Sequence, residues 1–305
     1  MTKRAEVSVV IPTYQRGRIL LDTIRQLLNL DSGTFEILVV DQTTQYDPAI
    51  HDALTELDKA GKIRWRRIDK PSIPHAMNIG MLSARCDIVL FLDDDIMPAP
   101  GLIEAHFSNY GDVTVWGVAG QVLQPGQQPV DAGTVTASAE SFPFNGTRKQ
   151  EVTGCIAANF SVRREKALMI GGFDENFIGD AYRFETEFCR RLIRNGGKVI
   201  FEPGASLRHL QIKTGGTRTY GSHMTSARPD LTSGEYYFVL REYSGIARIR
   251  YILHRMMRSL GRKFYLFHPW WLPVKLYAEI RGLLLAVKLK RRGPAYIQKT
   301  QTDTA

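Results

Sequence analysis

Five consecutive apolar residues, Ile88 to Leu92, run without interruption into three aspartates, Asp93, Asp94 and Asp95. A run of this length with β-branched and aromatic members has no polar face. It therefore reads as a strand covered on both sides, in the middle of a parallel sheet. That leaves few folds open, because parallel strands need long crossover connections, usually helices, that cover the sheet faces. In open α/β sheets ligands collect outside the carboxyl ends of the strands, where these acids fall. Adjacent carboxylates raise one another's pKa unless a cation screens them. Asp93 and Asp95, spaced i, i+2, can both turn toward one divalent metal with a phosphate completing its shell. The plain alternative is a solvated acidic turn that closes a strand.

The residues before this run repeat the alternation of strand and helix. Residues 7–11 read as a strand stopped by Pro12, with Pro12 to Arg16 as a loop and a helix over about 19–30. Residues 35–40 form a second strand ending at Asp41. Residues 48–60 are helical, with Pro48 in the first turn and Gly61 just past the end. A weaker strand over 63–68 and a helix over 72–84, carrying Asn78, lead into the acidic strand. Beyond it the pattern predicts a helix within 98–109 and a strand over 113–122. Residues 124–150 form a long loop in which Phe142, Phe144 and Asn145 are candidates for ligand contact, a solvated excursion being the alternative. A strand over 152–162, a short helix over 164–170 and a sharp turn at Gly171-Gly172 follow. Phe184, Phe188 and Leu192 then recur at helical spacing up to Asn195-Gly196. A last strand over 198–201 is expected to close at Glu202-Pro203-Gly204. The expected fold is an α/β, mostly parallel, doubly wound sheet flanked by helices.

At 305 residues and 44% hydrophobic, the chain can bury the core of one large domain plus an appendage. Cys86, Cys155 and Cys189 form neither a disulfide framework nor a CxxC site, so a reducing, cytoplasmic setting is expected. Residues 1–6 lead into no signal-peptide apolar stretch, and no apolar run reaches the roughly 18 residues of a transmembrane helix. The net charge of +9 is concentrated late: between Arg241 and Arg292 stand thirteen Lys or Arg against two acids, Glu242 and Glu279. Interleaved with them are Tyr251, Met256, Phe264, Trp270, Trp271 and Leu283. A pair of basic amphipathic helices with tryptophans at the junction fits an anionic membrane surface, peripheral at its inner face. Packing on the rest of the chain is the alternative. Nucleic-acid binding is not expected, since charge alone supports it and no recognition motif does.

Several stretches together resemble the nucleotide-sugar half of family 2 glycosyltransferases over roughly residues 6–212. They are VSVVIPTYQR (Val7 to Arg16), ILVVD (Ile37 to Asp41), AMNIG (Ala76 to Gly80) and IVLFLDDD (Ile88 to Asp95), then GGFDE from Gly171, ETEFCRRL from Glu185 and GGK from Gly196. Any one motif is weak, and the ordered set is specific. The resemblance implies a GT-A-type catalytic domain over 1–212, a mobile loop over 213–234 and a basic helical region over 235–305. It implies transfer of a sugar, with inversion, from a nucleotide-diphosphate donor to a glycan or lipid-linked glycan. UDP is the first choice of nucleotide, with GDP or TDP as alternatives.

Carried over to these positions, the resemblance assigns Pro12, Thr13, Tyr14 and Arg16 to the nucleotide loop and Asp41 to the base or ribose. Asn78 belongs to the third motif. Asp93 and Asp95 match the DxD pair that holds Mg²⁺ or Mn²⁺, with Asp94 toward the ribose and His209 toward the metal or pyrophosphate. Glu185, in the first turn of its helix, matches the base that takes the acceptor hydroxyl's proton, and Asp180 is its rival. Three departures stand out. Only Asp41 remains where many relatives have two acids, Met77 stands where an Arg often precedes the Asn, and Phe184-Glu185 replaces the usual Glu-Asp. Lys213, Gly215, Gly216, Arg218 and Arg228 suit a lid over a diphosphate. A nucleotidyltransferase is disfavoured, because residues 12–17 carry no Gly-rich, Lys-bearing phosphate loop. A catalytically inactive sugar-binding or scaffold protein of the same fold is the remaining alternative.

Overall fold

The computed structural model describes residues 6–30, 35–131, 142–216 and 221–297. Residues 132–141 of the long loop, and Arg218 of the expected lid, lie outside them. Strands β1 (Val7–Thr13), β2 (Phe35–Asp41), β3 (Arg64–Arg67) and β4 (Ile88–Leu92) run parallel in the order β3-β2-β1-β4. Helices α1 (Arg18–Leu28), α2 (Pro48–Lys59) and α3 (Ile73–Ser83) make the crossovers. The starts of two of them are written locally. Asp47 accepts from the Ala49 N–H ahead of Pro48, and Ser72 accepts from the His75 N–H.

The second half of the sheet is mixed. It is built from β5 (Ile96–Pro98), α4 (Leu102–Phe107), β6 (Val115–Leu123), β7 (Gln150–Glu151), β8 (Asn159–Arg163), α5 (Arg164–Met169), α6 (Phe184–Arg194) and β9 (Lys198–His209). β8 lies antiparallel between β4 and β6, β6 runs parallel to β9, and β5 pairs antiparallel with β9. The result is a nine-stranded, mostly parallel sheet.

Three boundaries differ from the sequence pattern, each for a pairing reason. Pro12 lies inside β1 rather than ending it. The β4 ladder stops at Val10↔Phe91, so no partner on that side needs the missing N–H. β8 begins only at Asn159, because β4 ends at Leu92, opposite Asn159; ahead of it Gln150 and Glu151 pair with β9 instead. β9 continues through Glu202-Pro203-Gly204. The ladder steps from Gly120↔Glu202 to Gln121↔Ser206, so Pro203 to Ala205 are looped out and pairing resumes. That bulge matters, because the resumed strand carries His209 to the position opposite Ile96, next to Asp95.

Alternation along the strands sends side chains to two cores. Val9, Ile11, Val39, Leu90 and Leu92 meet α1 and α4 on one face. Val10, Val40, Val89 and Phe91 meet α3, α6 and the C-terminal region on the other, where Phe173 stacks on Phe188 at 4.1 Å between ring centroids.

The C-terminal region comprises α7 (Asp230–Glu242), α8 (Gly245–Leu260), α9 (Phe264–Phe267) and α10 (Leu272–Arg292). The expected boundary at 235 falls inside α7. Tyr236, Tyr237, Phe238 and Val239 are fully buried in the second core, so α7 belongs to the main body. Asp174 fastens it there: its carboxylate accepts from Tyr237 Oη at 2.7 Å and the Ala295 N–H at 2.9 Å, and pairs with Arg241 at 2.8 Å. Gly282 of α10 is required by close approach, since a Cβ there would lie 2.0 Å from Thr232 Oγ1. Among the described residues no helix is long and apolar enough to cross a membrane.

Candidate active site

The carboxyl ends of β1, β2 and β4 share one sheet edge, and the carboxyl end of β9 arrives there through its bulge. The edge therefore gathers Thr13, Asp41, Asp93 to Asp95 and His209. Donor atoms of Asp93, Asp95 and His209 all lie within 4.8 Å of one another. His209 Nε2 is 3.1 Å from Asp95 Oδ1 and 3.5 Å from Asp93 Oδ2. Its Nδ1 lies 3.1 Å from Gln124 Oε1, which also accepts from Gln211 Nε2 at 2.7 Å. With Nδ1–H donating to that oxygen, a neutral imidazole would offer its Nε2 lone pair to a cation held among the acids, whereas a protonated Nε2 donates to Asp95. The set fits a small divalent cation: two carboxylates, an oriented imidazole, and an Asp93 side chain still 43% exposed, which leaves room for a further ligand.

Arg16 reaches into the same cluster. Its guanidinium pairs with Asp94 and Asp95 and donates to the carbonyls of Ile212 at 3.1 Å and Thr214 at 2.6 Å. The Gly216 N–H donates to Tyr14 O at 2.7 Å, so residues 212–216 are laced over the nucleotide loop. Burial pushes the Asp94 carboxyl up to about 7 against the pull of Arg16. Burial works in the same direction on Asp95, but His209 and Arg16 outweigh it and hold Asp95 below its ordinary value.

Beside the cluster lies a cleft of about 110 Å³ lined by Pro12, Thr13, Tyr14, Arg16, Met77 and Asp93, among others. Asp41 lines a neighbouring cavity of about 320 Å³ with Thr13 and Thr43. Its carboxylate accepts from the Thr43 N–H at 2.9 Å and Trp65 Nε1 at 3.0 Å. Asn78 is not brought to either cavity. It points to the opposite side of α3, donates to Phe173 O at 2.9 Å and Glu175 Oε1 at 3.0 Å, and accepts from the Phe173 N–H at 2.8 Å. Its amide is spent on the Gly171-Gly172 turn, and Met77 beside it faces the cleft. Phe142 and Phe144 are spent too, packed edge-on with Phe201 at 4.8 and 6.4 Å rather than offered to a sugar.

Glu185 stands in the first turn of α6. Burial pushes its carboxyl up to about 7; Arg183 opposes the rise, and the charges of Asp93 and Asp180 add to it. Asp180 is likewise raised to about 7 by burial, with Arg255 opposing, and its Oδ2 lies 3.7 Å from His223 Nε2. Glu185 thus senses both the acid cluster and Asp180. The backbone here is strained. Among the described residues, the non-glycine residues in the left-handed region are Gln15, Ala181, Arg183 and Gln211; Ala181 and Arg183 lie between Asp180 and Glu185, and Gln15 and Gln211 adjoin Arg16 and Ile212, which contact Asp95. Sequence reasoning missed Gln124, which orients His209, and the cluster of Arg255, Arg258, Arg262 and Lys275 beyond Asp180. Only the cationic composition of the C-terminal region hinted at the latter.

The fold with this site is of the GT-A glycosyltransferase type, shared with GalNAc-T7 in complex with UDP, GalNAc and Mn²⁺ (TM-score 0.57, 17% identity, 69% of this chain and 44% of that one). The mannosyltransferase PcManGT of Pyrobaculum calidifontis, with GDP-Man and Mn²⁺, matches at TM-score 0.55 and 18% identity over 96% of this chain and 80% of its own. Residues 8–169 match the family model of glycosyl transferase family 2, and the chain belongs to that family. The pre-mycofactocin glycosyltransferase of Mycobacterium tuberculosis is 30% identical over 142 residues, 44% of this chain and 29% of the relative, so the match spans under a third of that protein. The glucosyl-dolichyl phosphate glucuronosyltransferase of Haloferax volcanii is 24% identical over 67% of this chain and 69% of its own.

Proposed function

We propose that this chain is a metal-dependent inverting glycosyltransferase that moves a sugar from a nucleotide-diphosphate donor to a glycan or lipid-linked glycan. The observation that carries the reading is the convergence of Asp93, Asp95 and His209 beside a cleft walled by the Pro12–Arg16 loop, with Glu185 near enough to feel the charge of Asp93. Asp93, Asp95 and His209 would hold the cation. When bound, it supplies positive charge against the diphosphate leaving group. The imidazole in the set favours Mn²⁺ over Mg²⁺, which prefers all-oxygen shells; two similar structures also carry Mn²⁺, with UDP or GDP-Man.

Glu185 takes the proton of the attacking acceptor hydroxyl, a task suited to a carboxylate whose pKa sits near the operating pH. The N-terminus of α6 favours its ionised form. Arg16 neutralises Asp94 and Asp95 and stands beside the diphosphate position. UDP remains the first choice of nucleotide and GDP the second, since each accompanies one of the similar structures.

The chain is further proposed to work at the inner face of an anionic membrane. Ile246, Ile249, Leu253 and Met257 form an outward apolar stripe on α8, and Leu272, Leu276, Ile280 and Leu284 form another on α10. Basic residues flank both. The Haloferax relative, by its name, acts on a dolichyl phosphate-linked sugar.

The direct test is nucleotide release from UDP-, GDP- and TDP-sugars with Mn²⁺, Mg²⁺ or EDTA. Release from one donor, abolished by EDTA and by Glu185→Gln, is expected. No release from any of them with either metal would favour an inactive sugar-binding protein.

A further inference from the structure

Beyond Asp180 lies a cavity of about 470 Å³, larger than the cleft beside the acids. Asp180 lines one side, Glu235 of α7 another, and Arg255, Arg258, Arg262 and Lys275 the side formed by α8 and the start of α10. The charge is unevenly matched. Glu235 pairs with Arg255 and, at 2.7 Å, with Arg258. Glu279 beneath pairs with Lys275 at 2.7 Å and Arg255 at 3.4 Å. Four cations against the two carboxylates Glu235 and Glu279 leave 4 − 2 = 2 positive charges over. Arg262 has no acid within ion-pair distance among the described residues. Burial, together with Lys275, Arg262 and Arg255, keeps the pKa of His223 below its ordinary value, as a positive wall should. Asp180, raised by burial, offsets only part of this excess near neutral pH.

Two further observations bear on what such a wall would meet. Glu185 senses Asp180 on this side and Asp93 on the metal side, so the candidate base is in range of both. The chain between Arg262 and Lys275 also turns apolar side chains outward, with Leu266 78%, Phe267 76% and Trp270 64% exposed. Arg262 and Lys275, the ends of that apolar stretch, both line the cationic cavity, an arrangement that suits a ligand anionic at one end and apolar at the other.

Resting on the transferase reading, we infer that this cavity binds the phosphate or diphosphate of a phosphorylated acceptor, seated on Arg255, Arg258, Arg262 and Lys275 with its sugar toward Glu185. Guanidinium groups give such oxygens charge-assisted, often bidentate hydrogen bonds. The phosphate can belong to a lipid carrier or to a soluble sugar phosphate; the chemistry is the same.

The test titrates the full chain with farnesyl phosphate, farnesol and glucose 1-phosphate, alongside UDP and GDP with Mn²⁺. Wild type is compared with Arg262→Gln and with the double variant Arg258→Gln/Arg262→Gln. Both positions are solvent-exposed, and retained nucleotide binding checks that the fold survives. Farnesyl phosphate should bind wild type, farnesol at least about tenfold more weakly, and the double variant should lose about tenfold or more for the phosphate ligand. Farnesyl phosphate binding well above glucose 1-phosphate identifies a lipid-borne phosphate, and equal binding a soluble one. The inference is overturned if farnesol binds as well as farnesyl phosphate, if neither phosphate binds, or if the double variant binds like wild type. If wild type binds a nucleotide but neither phosphate ligand, this inference alone fails, whereas absence of nucleotide binding from wild type sinks the transferase reading.

Discussion

Arg16 Nε lies 2.9 Å from Asp94 Oδ1, and Nη2 of the same guanidinium lies 3.5 Å from Asp95 Oδ2. One cation thus holds two of the three consecutive carboxylates, and both members of the closer pair are buried. Removing one partner of such a pair strands the other's charge, at a cost of about 3–5 kcal/mol. Arg16→Ala should lose that much stability at pH 8. Asp94 is raised above its unfolded value, and losing Arg16 raises it further. The Asp94 share of the deficit is therefore small near pH 4–5, where the folded carboxyl is protonated in wild type and variant alike, and grows as pH rises through 7, whereas the Asp95 share is already present at pH 5. Urea unfolding at pH 5 and pH 8 measures it; an equal loss at both would contradict the pairing.

Glu185 should act as the base. Glu185→Gln is expected to lower the transfer rate about 10²–10⁴-fold with nucleotide affinity unchanged. In wild type the rate should rise with pH, since the carboxyl must be ionised, with a midpoint at or below about 7. A bound cation compensates Asp93 and moves the midpoint down. The rising limb should vanish in Glu185→Gln and persist in Asp180→Asn.

Asp180→Asn should instead show itself in stability. Asp180 is raised from 3.8 to about 7 and its side chain is 15% exposed, so its ionisation works against the fold. The variant should match wild type near pH 4 and exceed it by up to about 4 kcal/mol at pH 8, the difference growing between those limits. Thermal unfolding across pH 4–8 reads this directly, and a pH-independent difference would rule it out.

Much of this was legible in the chain and some was not, for physical reasons. The parallel strands announce themselves because burial on both faces demands unbroken apolar runs such as Ile88 to Leu92. The acids at their ends follow from topology. Pro203 misled, because a proline ends a strand only where its partner needs the N–H, and a three-residue bulge removes that need. Asn78 looked like a ligand-facing polar residue, yet its partners Phe173 and Glu175 lie 95 and 97 residues away. Docking of α7 was hidden for the same reason. Its run Tyr236 to Leu240 has no amphipathic period, and the Asp174–Arg241 pair joins residues 67 apart.

That pair carries its own prediction. Asp174 is fully buried and holds Arg241, Tyr237 and the Ala295 N–H together. Asp174→Ala should cost about 3–5 kcal/mol and expose the C-terminal helices to proteolysis, while Asp22→Asn, which breaks an exposed pair with Arg25, should cost less than about 1 kcal/mol. Urea unfolding and limited proteolysis compare them.

Gln124 tests the imidazole. If His209 is a ligand, Gln124→Ala frees its Nδ1 and should weaken Mn²⁺ binding about 10–100-fold. Unchanged Mn²⁺ affinity in both Gln124→Ala and His209→Ala would remove His209 from the site.

The most direct measurement is calorimetric titration of UDP, GDP and TDP into the protein with and without Mn²⁺, on wild type and Asp95→Ala. The account predicts that one nucleotide binds, only with Mn²⁺, and that Asp95→Ala abolishes the binding. Failure of every nucleotide to bind with either Mn²⁺ or Mg²⁺ would contradict it.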